Sequence, residues 1–343
     1  MENIFGYNLA QCQQLMQRLG EPKFRGGQLF QWLYEKGAPS FEACSNLPAK
    51  LRQKLAETAV IDHGELIRRQ RDPEDGTEKL LIRFADGECI ETVLMRYHYG
   101  LSLCVSSQVG CAMGCAFCAS TRGGVIRNLK AGEIASQIYW AQALSGERVS
   151  RIVVMGIGEP LANGEELLRF IDLANHGYGI GQRRITVSTC GLVPQMKALA
   201  KRHLEINLAV SLHAPTQDIR ERIMPVARRY PLPELLEACR YYFEETGRRI
   251  TFEYALMAGV NDRPEDAETL ISLFRHQNVH INLIRLNPIS DGAFSGSEQV
   301  EAFAGRLQKG GINCTVRRRM GKNIDAACGQ LRHKTQQEKK VKK

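Results

Sequence analysis

The most constraining feature of this sequence is an alternation of short β-rich runs with longer amphipathic stretches, which begins near residue 100. The β-rich runs are residues 101–107, 151–156, 184–190, 206–213, 250–257 and 280–287. Helix-like stretches such as 131–144 and 232–246 separate them. Six β-then-α units predict an α/β fold whose parallel sheet curls into a full or partial barrel. In such folds the chemistry lies at the carboxyl ends of the strands.

Two further segments flank the predicted barrel. We predict three parts: an N-terminal accessory domain (1–97), the barrel (98–300) and a C-terminal extension (301–343). In the first part, the turn signal Asp86-Gly87 separates the strand-like runs 79–84 and 89–95, which predicts a hairpin. The last part is expected to hold one helix, a strand near 312–316 and a loop at 325–329.

The composition is that of a globular protein whose cysteines are kept reduced. The 343 residues are 43% hydrophobic and 24% charged. No run approaches the roughly 18 apolar residues of a membrane helix, and the sequence opens without a signal peptide, so we expect a cytoplasmic protein. Eleven cysteines are an odd number and too few for a disulfide scaffold of this length. They indicate metal binding, redox chemistry or simple burial.

The charge is concentrated near the C-terminus. The net charge is +9, and residues 331–343 contain six Lys or Arg against Glu338 alone, which supplies +5. A second basic cluster, Arg317-Arg318-Arg319, lies close by in the sequence. These charges favour a polyanionic partner such as nucleic acid, with a solubilising tail as the alternative.

The cysteine spacing indicates a metal centre. Cys111, Cys115 and Cys118 form a C-x3-C-x2-C motif directly after the first predicted barrel strand. Three thiolates at this spacing can hold a cubane [4Fe–4S] cluster, which leaves one iron with a free coordination position. A structural zinc with Cys104 as fourth ligand is the alternative, although zinc sites usually pair C-x2-C motifs.

This motif is similar to the signature of the radical S-adenosylmethionine (SAM) enzymes, in which the free iron chelates the amino and carboxylate groups of SAM. The run 156–160, after the second strand, resembles the glycine-rich segment of that superfamily. The resemblance implies a partial (β/α)6 radical SAM barrel. It also implies that Gly158 and Glu159 hold the amino group of SAM.

The segments 104–111 and 324–331 closely resemble a narrower group, the RlmN/Cfr family of RNA adenine methyltransferases. The resemblance covers nearly the whole chain and includes residues 155–163, 185–191, 207–215, 253–262 and 282–288. It implies methylation of carbon C2 of an adenine in 23S rRNA, with an anticodon-adjacent adenine of tRNA as a second candidate. It also implies that the N-terminal domain binds RNA.

The resemblance implies a catalytic role for three residues. One SAM methylates Cys328, and a radical from a second SAM takes hydrogen from that S-methyl group, so that the carbon adds to the adenine ring. Glu91 matches the proposed proton acceptor, and Cys104 matches the thiol that attacks the Cys328 sulfur and releases the RNA. An external electron donor and a disulfide reductant are then required.

The resemblance also implies a set of SAM contacts and leaves the other cysteines without a role. The implied contacts are Gly158, Glu159, Ser188, Ser211, Leu212, His213 and Asn287. Cysteines interpreted as buried small hydrophobic residues are Cys12, Cys44, Cys89, Cys190, Cys239 and Cys314. Of these, Cys190 follows a strand end and could line the SAM site.

Three other interpretations stay open. Arg285 stands where C2-type sequences often carry proline and C8-type sequences arginine, so a C8-adenine methyltransferase of the Cfr type, which confers antibiotic resistance, is one alternative. A zinc-stabilised RNA-binding module without turnover is another. A radical SAM enzyme with a small-molecule or protein substrate is the third. We expect a monomer that does not bind membranes.

Overall fold

The computed structural model describes residues 1–286 and 293–324 and has one long curved sheet at its centre. Its strands are β1 (Glu2–Asn3), β2 (Ala59–Val60), β3 (Glu65–Arg71), β4 (Glu78–Arg83), β5 (Cys89–Tyr97), β6 (Gly100–Cys104), β7 (Gln108–Gly110), β8 (Val125–Asn128), β9 (Val149–Val154), β10 (Ile185–Thr189), β11 (Asn207–Ser211), β12 (Ile250–Leu256), β13 (Val279–Arg285) and β14 (Cys314–Val316). Within the described residues, the central sheet has the order β14-β13-β12-β11-β10-β9-β6-β5-β4-β3.

Helices cover the outer face of the parallel strands and form most of the N-terminal region. They are α1 (Leu9–Arg18), α2 (Phe24–Tyr34), α3 (Ala49–Thr58), α4 (Ala131–Ser145), α5 (Gly164–Asp172), α6 (Val193–Ala200), α7 (Gln217–Ile223), α8 (Val226–Arg229), α9 (Leu232–Thr246), α10 (Pro264–Phe274) and α11 (Val300–Lys309). The amphipathic stretches predicted at 131–144 and 232–246 are α4 and α9.

The six predicted β-rich runs become the consecutive parallel strands β6 and β9 to β13, which confirms the α/β barrel. Leu208, Ala209 and Val210 of β11 are all buried, because these strands have helices on one side and the barrel interior on the other. The strand predicted near 312–316 is β14, which extends the sheet in parallel next to β13.

The sheet is closed by the segment that follows β14. Arg317 N–H donates to Leu283 O of β13, the strand next to the edge strand β14, and Gly321 N–H donates to Asp75 at the turn between β3 and β4, at the other edge. Four Cα–Cα steps reach about 15 Å at most, whereas the nine strands from β13 to β3 would span about 38 Å in a flat sheet. The sheet must therefore curl until its edges approach each other. We call residues 317–324 the C-terminal strap.

Antiparallel strands β3, β4 and β5 extend the sheet beyond β6. The hairpin predicted around Asp86-Gly87 is confirmed as β4 and β5, with Ile82 opposite Ile90. The predicted boundary between the first two domains, at residue 97, lies between β5 and β6, and these strands pair directly with each other. The domain limits given above therefore stay a prediction. Residues 27–34 and 51–55, whose sequence patterns are helical, lie in α2 and α3.

The cysteines without a predicted chemical role are buried, as expected. They are Cys12, Cys44, Cys89, Cys190, Cys239 and Cys314. Among the helices that the structure describes, none has the length and apolar character needed to cross a membrane.

Candidate active site

Two adjoining cavities lie at the carboxyl ends of the parallel strands. The cluster-side cavity, of about 140 Å³, includes Cys111, Cys115 and Cys118 in its lining. The second cavity, of about 340 Å³, includes Cys104 and Glu91. Both are lined by Phe117, Cys118, Met155, Gly156, Ser188, Ser211 and His213. Residues that are far apart in the sequence therefore face one continuous space.

The three motif cysteines lie in a loop between the two strands of a small hairpin, β7 and β8. Sequence reasoning placed this loop directly after the first barrel strand and missed the hairpin. Cys111 N–H donates to Gly124 O at 3.1 Å, so the base of the loop is closed by the backbone. Ala116 N–H donates to Ile223 O at 2.9 Å, which fixes the middle of the loop to the end of α7.

The electrostatics of the cysteine loop suit thiolates bound to a positively charged group. Burial raises the pKa of Cys111 to about 11 and raises that of Cys115 further, and the thiols also raise one another's values. Within the described residues, no three His, Cys, Asp or Glu side chains are gathered closely enough to hold a single metal ion. A cubane requires a different arrangement, since each thiolate binds a different iron around a cavity. The three cysteines therefore fit a [4Fe–4S] cluster.

Gly156 and Gly158 pack against the chain itself. A Cβ at Gly158 would lie 2.8 Å from Gln108 N, and one at Gly156 would lie 2.7 Å from Val105 O. Gly158 also has φ +113°, which disfavours any side chain. Glycines at such positions can permit close approach of the backbone to a ligand. The structure shows a different reason for them, namely close packing against the segment that leads into the cysteine loop.

Glu159 is buried and lines the cluster-side cavity. Its carboxylate accepts hydrogen bonds from Leu161 N at 3.0 Å and from Cys190 N at 2.7 Å. Burial raises its pKa. These two bonds orient the carboxylate and connect the end of β9 to the end of β10, next to the cysteines.

Ser188, Ser211 and His213 line both cavities. His213 Nδ1 accepts the Ala255 N–H at 2.9 Å, so the neutral ring carries its proton on Nε2. Burial and the nearby charge of Arg220 lower the pKa of His213 to about 3, which keeps it neutral at physiological pH.

Two predicted SAM contacts stand apart from this group. Leu212 is buried in the core, its N–H donates to Glu253 O, and its carbonyl accepts from Arg220 Nε. Asn287 lies outside the described residues. Their roles stay predictions, as do those of the other proposed contacts.

The second cavity combines a thiol with a buried ion pair. Cys104 ends β6, and burial raises its pKa. Glu91 of β5 is only 2% exposed, and its Oε2 lies 2.7 Å from Lys79 Nζ. An outward-facing Glu91 is thus excluded. Cys328, the predicted methyl carrier, lies outside the described residues.

Sequence reasoning missed Glu253 in the lining of this cavity, Lys79 as the partner of Glu91, and the position of Arg317, which it named only as part of a basic cluster. Glu253 is buried and accepts a hydrogen bond from Asn282 Nδ2. Burial raises the pKa of both Cys104 and Glu253, and the nearby charge of Arg317 offsets part of that rise. The only available signal was a charged residue inside an apolar strand, as at Lys79 in 79–84.

Two family models match the chain. "Radical SAM superfamily" matches residues 105–271, and "Ribosomal RNA large subunit methyltransferase N-terminal domain" matches residues 2–61.

Curated relatives and a solved structure match over nearly the full length. A "Probable dual-specificity RNA methyltransferase RlmN" of Lachnospira eligens is 52% identical and covers 97% of each chain. The protein of the same name from Bacillus licheniformis is 48% identical, covering 98% of this chain and 95% of its own. The crystal structure of a radical SAM methyltransferase from Sphaerobacter thermophilus superimposes with a TM-score of 0.92 at 43% identity, covering 96% of this chain and 99% of its own.

Proposed function

Because the chain belongs to the RlmN family of radical SAM RNA methyltransferases, we propose that it methylates carbon C2 of a specific adenine in 23S rRNA, and of an anticodon-adjacent adenine in tRNA. The observation that carries the proposal is the pair of adjoining cavities. One contains the three motif cysteines, and the other contains Cys104 and Glu91, with a shared wall between them.

In this proposal the cluster-side cavity binds the cofactors. Cys111, Cys115 and Cys118 hold a [4Fe–4S] cluster, and the residues at the strand ends bind SAM, Gly158 and Glu159 among them. Together these groups supply a 5′-deoxyadenosyl radical when an external donor provides an electron. The walls formed by Phe117 and the strand ends separate this chemistry from solvent.

The second cavity receives the adenine. The C2 carbon of adenine is electron-poor and cannot attack SAM, so the methyl carbon first passes to the Cys328 thiolate by displacement. After that carbon has bonded to the ring, Glu91 accepts the ring proton. The Cys104 thiolate then forms a bond to the Cys328 sulfur as the bond between that sulfur and the methylene carbon breaks. The methylene carbon keeps the bonding electrons and takes up a proton to become the methyl group, and the unpaired electron left by the radical addition would return to the oxidised cluster. The resulting disulfide is reduced before the next turnover, and each methylation uses two SAM.

Mass spectrometry of rRNA and tRNA tests this function in a host that lacks both C2 and C8 activities. We expect 2-methyladenine in both RNAs when the chain is expressed. A methyl group at C8 would establish the Cfr-type alternative, and unmodified RNA in the presence of a stable, cluster-loaded protein would contradict the proposal.

A matched pair of cysteine variants tests the cluster. Cys118→Ala should lose iron, labile sulfide and methylation. Cys44→Ala removes a thiol that is buried in the N-terminal region and should retain all three. One zinc per chain and no labile sulfide after anaerobic purification would instead support the zinc-stabilised module.

A further inference from the structure

Arg220 is a fully buried cation that the reaction proposed above does not use. It lies on α7, and its side chain is 0% exposed. The same helix supplies Ile223 O, which accepts the Ala116 N–H of the cysteine loop. Arg220 is thus held one helical turn from the point at which the protein anchors that loop.

Backbone carbonyls satisfy only part of this guanidinium. Its Nη2 donates to Cys190 O at 2.7 Å and to Ser211 O at 3.2 Å, and its Nε donates to Leu212 O at 3.3 Å. Nη1 is buried and has no hydrogen-bond partner in the described structure. A buried charge that is incompletely bonded and has no counter-charge is strongly unfavourable.

The titratable side chains that interact with Arg220 are three cysteines and the neutral His213. Cys115, Cys190 and Cys239 interact with it electrostatically, and no carboxylate of the described residues does so. Cys190 and Ser211, whose carbonyls it bonds, line the cavity that contains the motif cysteines. Cys115 is one of the three motif cysteines, and the loop that carries it is bonded to the helix of Arg220 through Ala116 and Ile223. A thiolate ligand at this position would be a negative neighbour of the guanidinium.

We propose that Arg220 is the counter-charge of the iron–sulfur cluster and stabilises its reduced form. The proposal rests on the assignment of Cys111, Cys115 and Cys118 as ligands. One-electron reduction adds a negative charge to the cluster, and a fixed positive charge beside one ligand in a low-dielectric interior favours that product. Arg220 thereby raises the reduction potential of the cluster. It does not contact the substrate and acts on the cluster only through its charge.

An anaerobic redox titration of the cluster-loaded protein, without SAM or RNA, tests this role. Dithionite supplies the electron, and the reduced cluster is followed by electron paramagnetic resonance. Arg220→Gln removes the charge and should lower the equilibrium constant for reduction at least tenfold, which equals 59 mV for a one-electron couple. Arg220→Lys keeps the charge and should remain close to the unmodified protein.

Arg248 provides a matched control at the opposite end of β11. Its Nε donates to Ile206 O and its Nη2 to Asn207 Oδ1, so it too combines a charge with bonds to this strand. Arg248→Gln changes the net charge by the same amount away from the cysteines. The reduction potential of the cluster in this variant should equal that of the unmodified protein.

A second pair of variants keeps Arg220 in place in case Arg220→Gln does not fold. Cys239 of α9 is buried and faces the guanidinium, so Cys239→Asp offers it a carboxylate, whereas Cys239→Asn has the same size without charge. The Asp variant should have the lower potential. Equal reduction potentials of the cluster in the two Cys239 variants would overturn the proposal. An Arg220→Gln variant that binds the cluster and whose equilibrium constant for reduction falls less than tenfold would also overturn it.

The outcomes also separate this inference from the proposed function. If the unmodified protein binds no cluster, that result contradicts both the proposed function and this inference. If a normal cluster potential in Arg220→Gln is accompanied by weaker SAM binding, the counter-charge assignment is wrong and Arg220 serves the SAM carboxylate instead.

Discussion

At the scale of single residues, the Lys79–Glu91 ion pair is buried and should contribute strongly to stability. Lys79 is 0% exposed, and the two side chains lie on adjacent antiparallel strands. Burying two charges costs several kcal/mol per ion, which their attraction offsets only while both are present. A pair of this kind beside a cavity is typical of a functional site.

Lys79→Met should lower the free energy of unfolding by about 3–5 kcal/mol, because it leaves the Glu91 carboxylate buried without this cation. The double variant Lys79→Met/Glu91→Leu should recover most of the loss, since no buried charge of the pair remains. Urea denaturation of the four proteins measures the coupling. Additive effects would show that the pair does not interact.

The variant Cys104→Ala tests the proposed release of the RNA from Cys328 by the Cys104 thiolate. The variant should still methylate Cys328 and add to adenine, but a stable protein–RNA adduct should accumulate because no thiol attacks the Cys328 sulfur. Denaturing electrophoresis with labelled RNA shows a nuclease-sensitive shifted band in that case. Free methylated RNA at normal yield would mean that Cys104 only fills space in β6.

At the scale of elements, the strap is held by one turn on the far side of the sheet. Asp72 Oδ2 accepts the Asn323 N–H at 2.8 Å, and Asp75 Oδ2 accepts the Gly321 N–H at 2.8 Å. The pKa of Asp72 is lowered, chiefly by the hydrogen bond from Asn323. Cys328, the proposed methyl carrier, follows Asn323 by five residues in the sequence, so we expect the bonds to this turn to affect its methylation.

Asp72→Asn should slow methylation of Cys328 several-fold while the cluster is retained, because the amide replaces an acceptor of the strap by a donor. Mass spectrometry of the S-methylated peptide measures the rate. Asp86→Asn changes the turn at the other end of β4, which does not bond the strap, and should methylate normally. Equal rates in the two variants would contradict a positioning role for the Asp72 turn.

At the scale of the whole molecule, the N-terminal helices dock onto the barrel through a histidine. The His63 ring stacks on Tyr139 of α4 with centroids 3.5 Å apart, and it meets the Phe5 ring edge-on at 4.1 Å. Trp140 Nε1 also donates to His63 O at 3.0 Å. Burial lowers the pKa of His63 to about 4.

The free energy of unfolding should therefore decrease as the pH falls, because His63 resists protonation in the folded protein. Between pH 6.5 and about 4 the unfolded chain binds a proton at His63 that the folded protein excludes, so the free energy of unfolding decreases by up to about 1.4 kcal/mol per pH unit. His63→Phe keeps an aromatic ring and should flatten this slope in urea titrations. Above pH 7 the two curves should run parallel, and equal slopes at pH 5 would exclude His63 as the cause.

We predict that the basic tail contributes to RNA binding. It lies outside the described residues, and truncation after Leu331 removes a charge of +5. RNA affinity should fall, and the slope of log affinity against log salt should flatten by about 0.7–0.9 for each lost phosphate contact. A full-length control with Lys339, Lys340, Lys342 and Lys343 changed to Gln should behave similarly. Unchanged slopes would identify the tail as a solubilising segment.

The parallel strands of the barrel and the position of the cysteine motif after the first of them were predictable because each depends on spacing within a short stretch of chain. Period-two and continuous apolar runs identify strands such as 206–213, and the cysteines at 111, 115 and 118 are close enough to share a ligand whatever the fold. The family resemblance narrowed the chemistry through motifs of the same local kind.

The contacts between residues that are far apart in the sequence depend on the tertiary structure. Lys79 meets Glu91 across a hairpin, Arg220 meets the carbonyl of a residue 30 positions away, and Asn323 meets Asp72 across 251 positions. No periodicity encodes such contacts, because the first depends on the register of one strand pair and the other two form only when the fold brings distant chain segments together. The sequence alone determined the parallel strands of the barrel and the candidate cluster ligands. Only the tertiary structure showed the β7–β8 hairpin around those ligands and the charges that face the site.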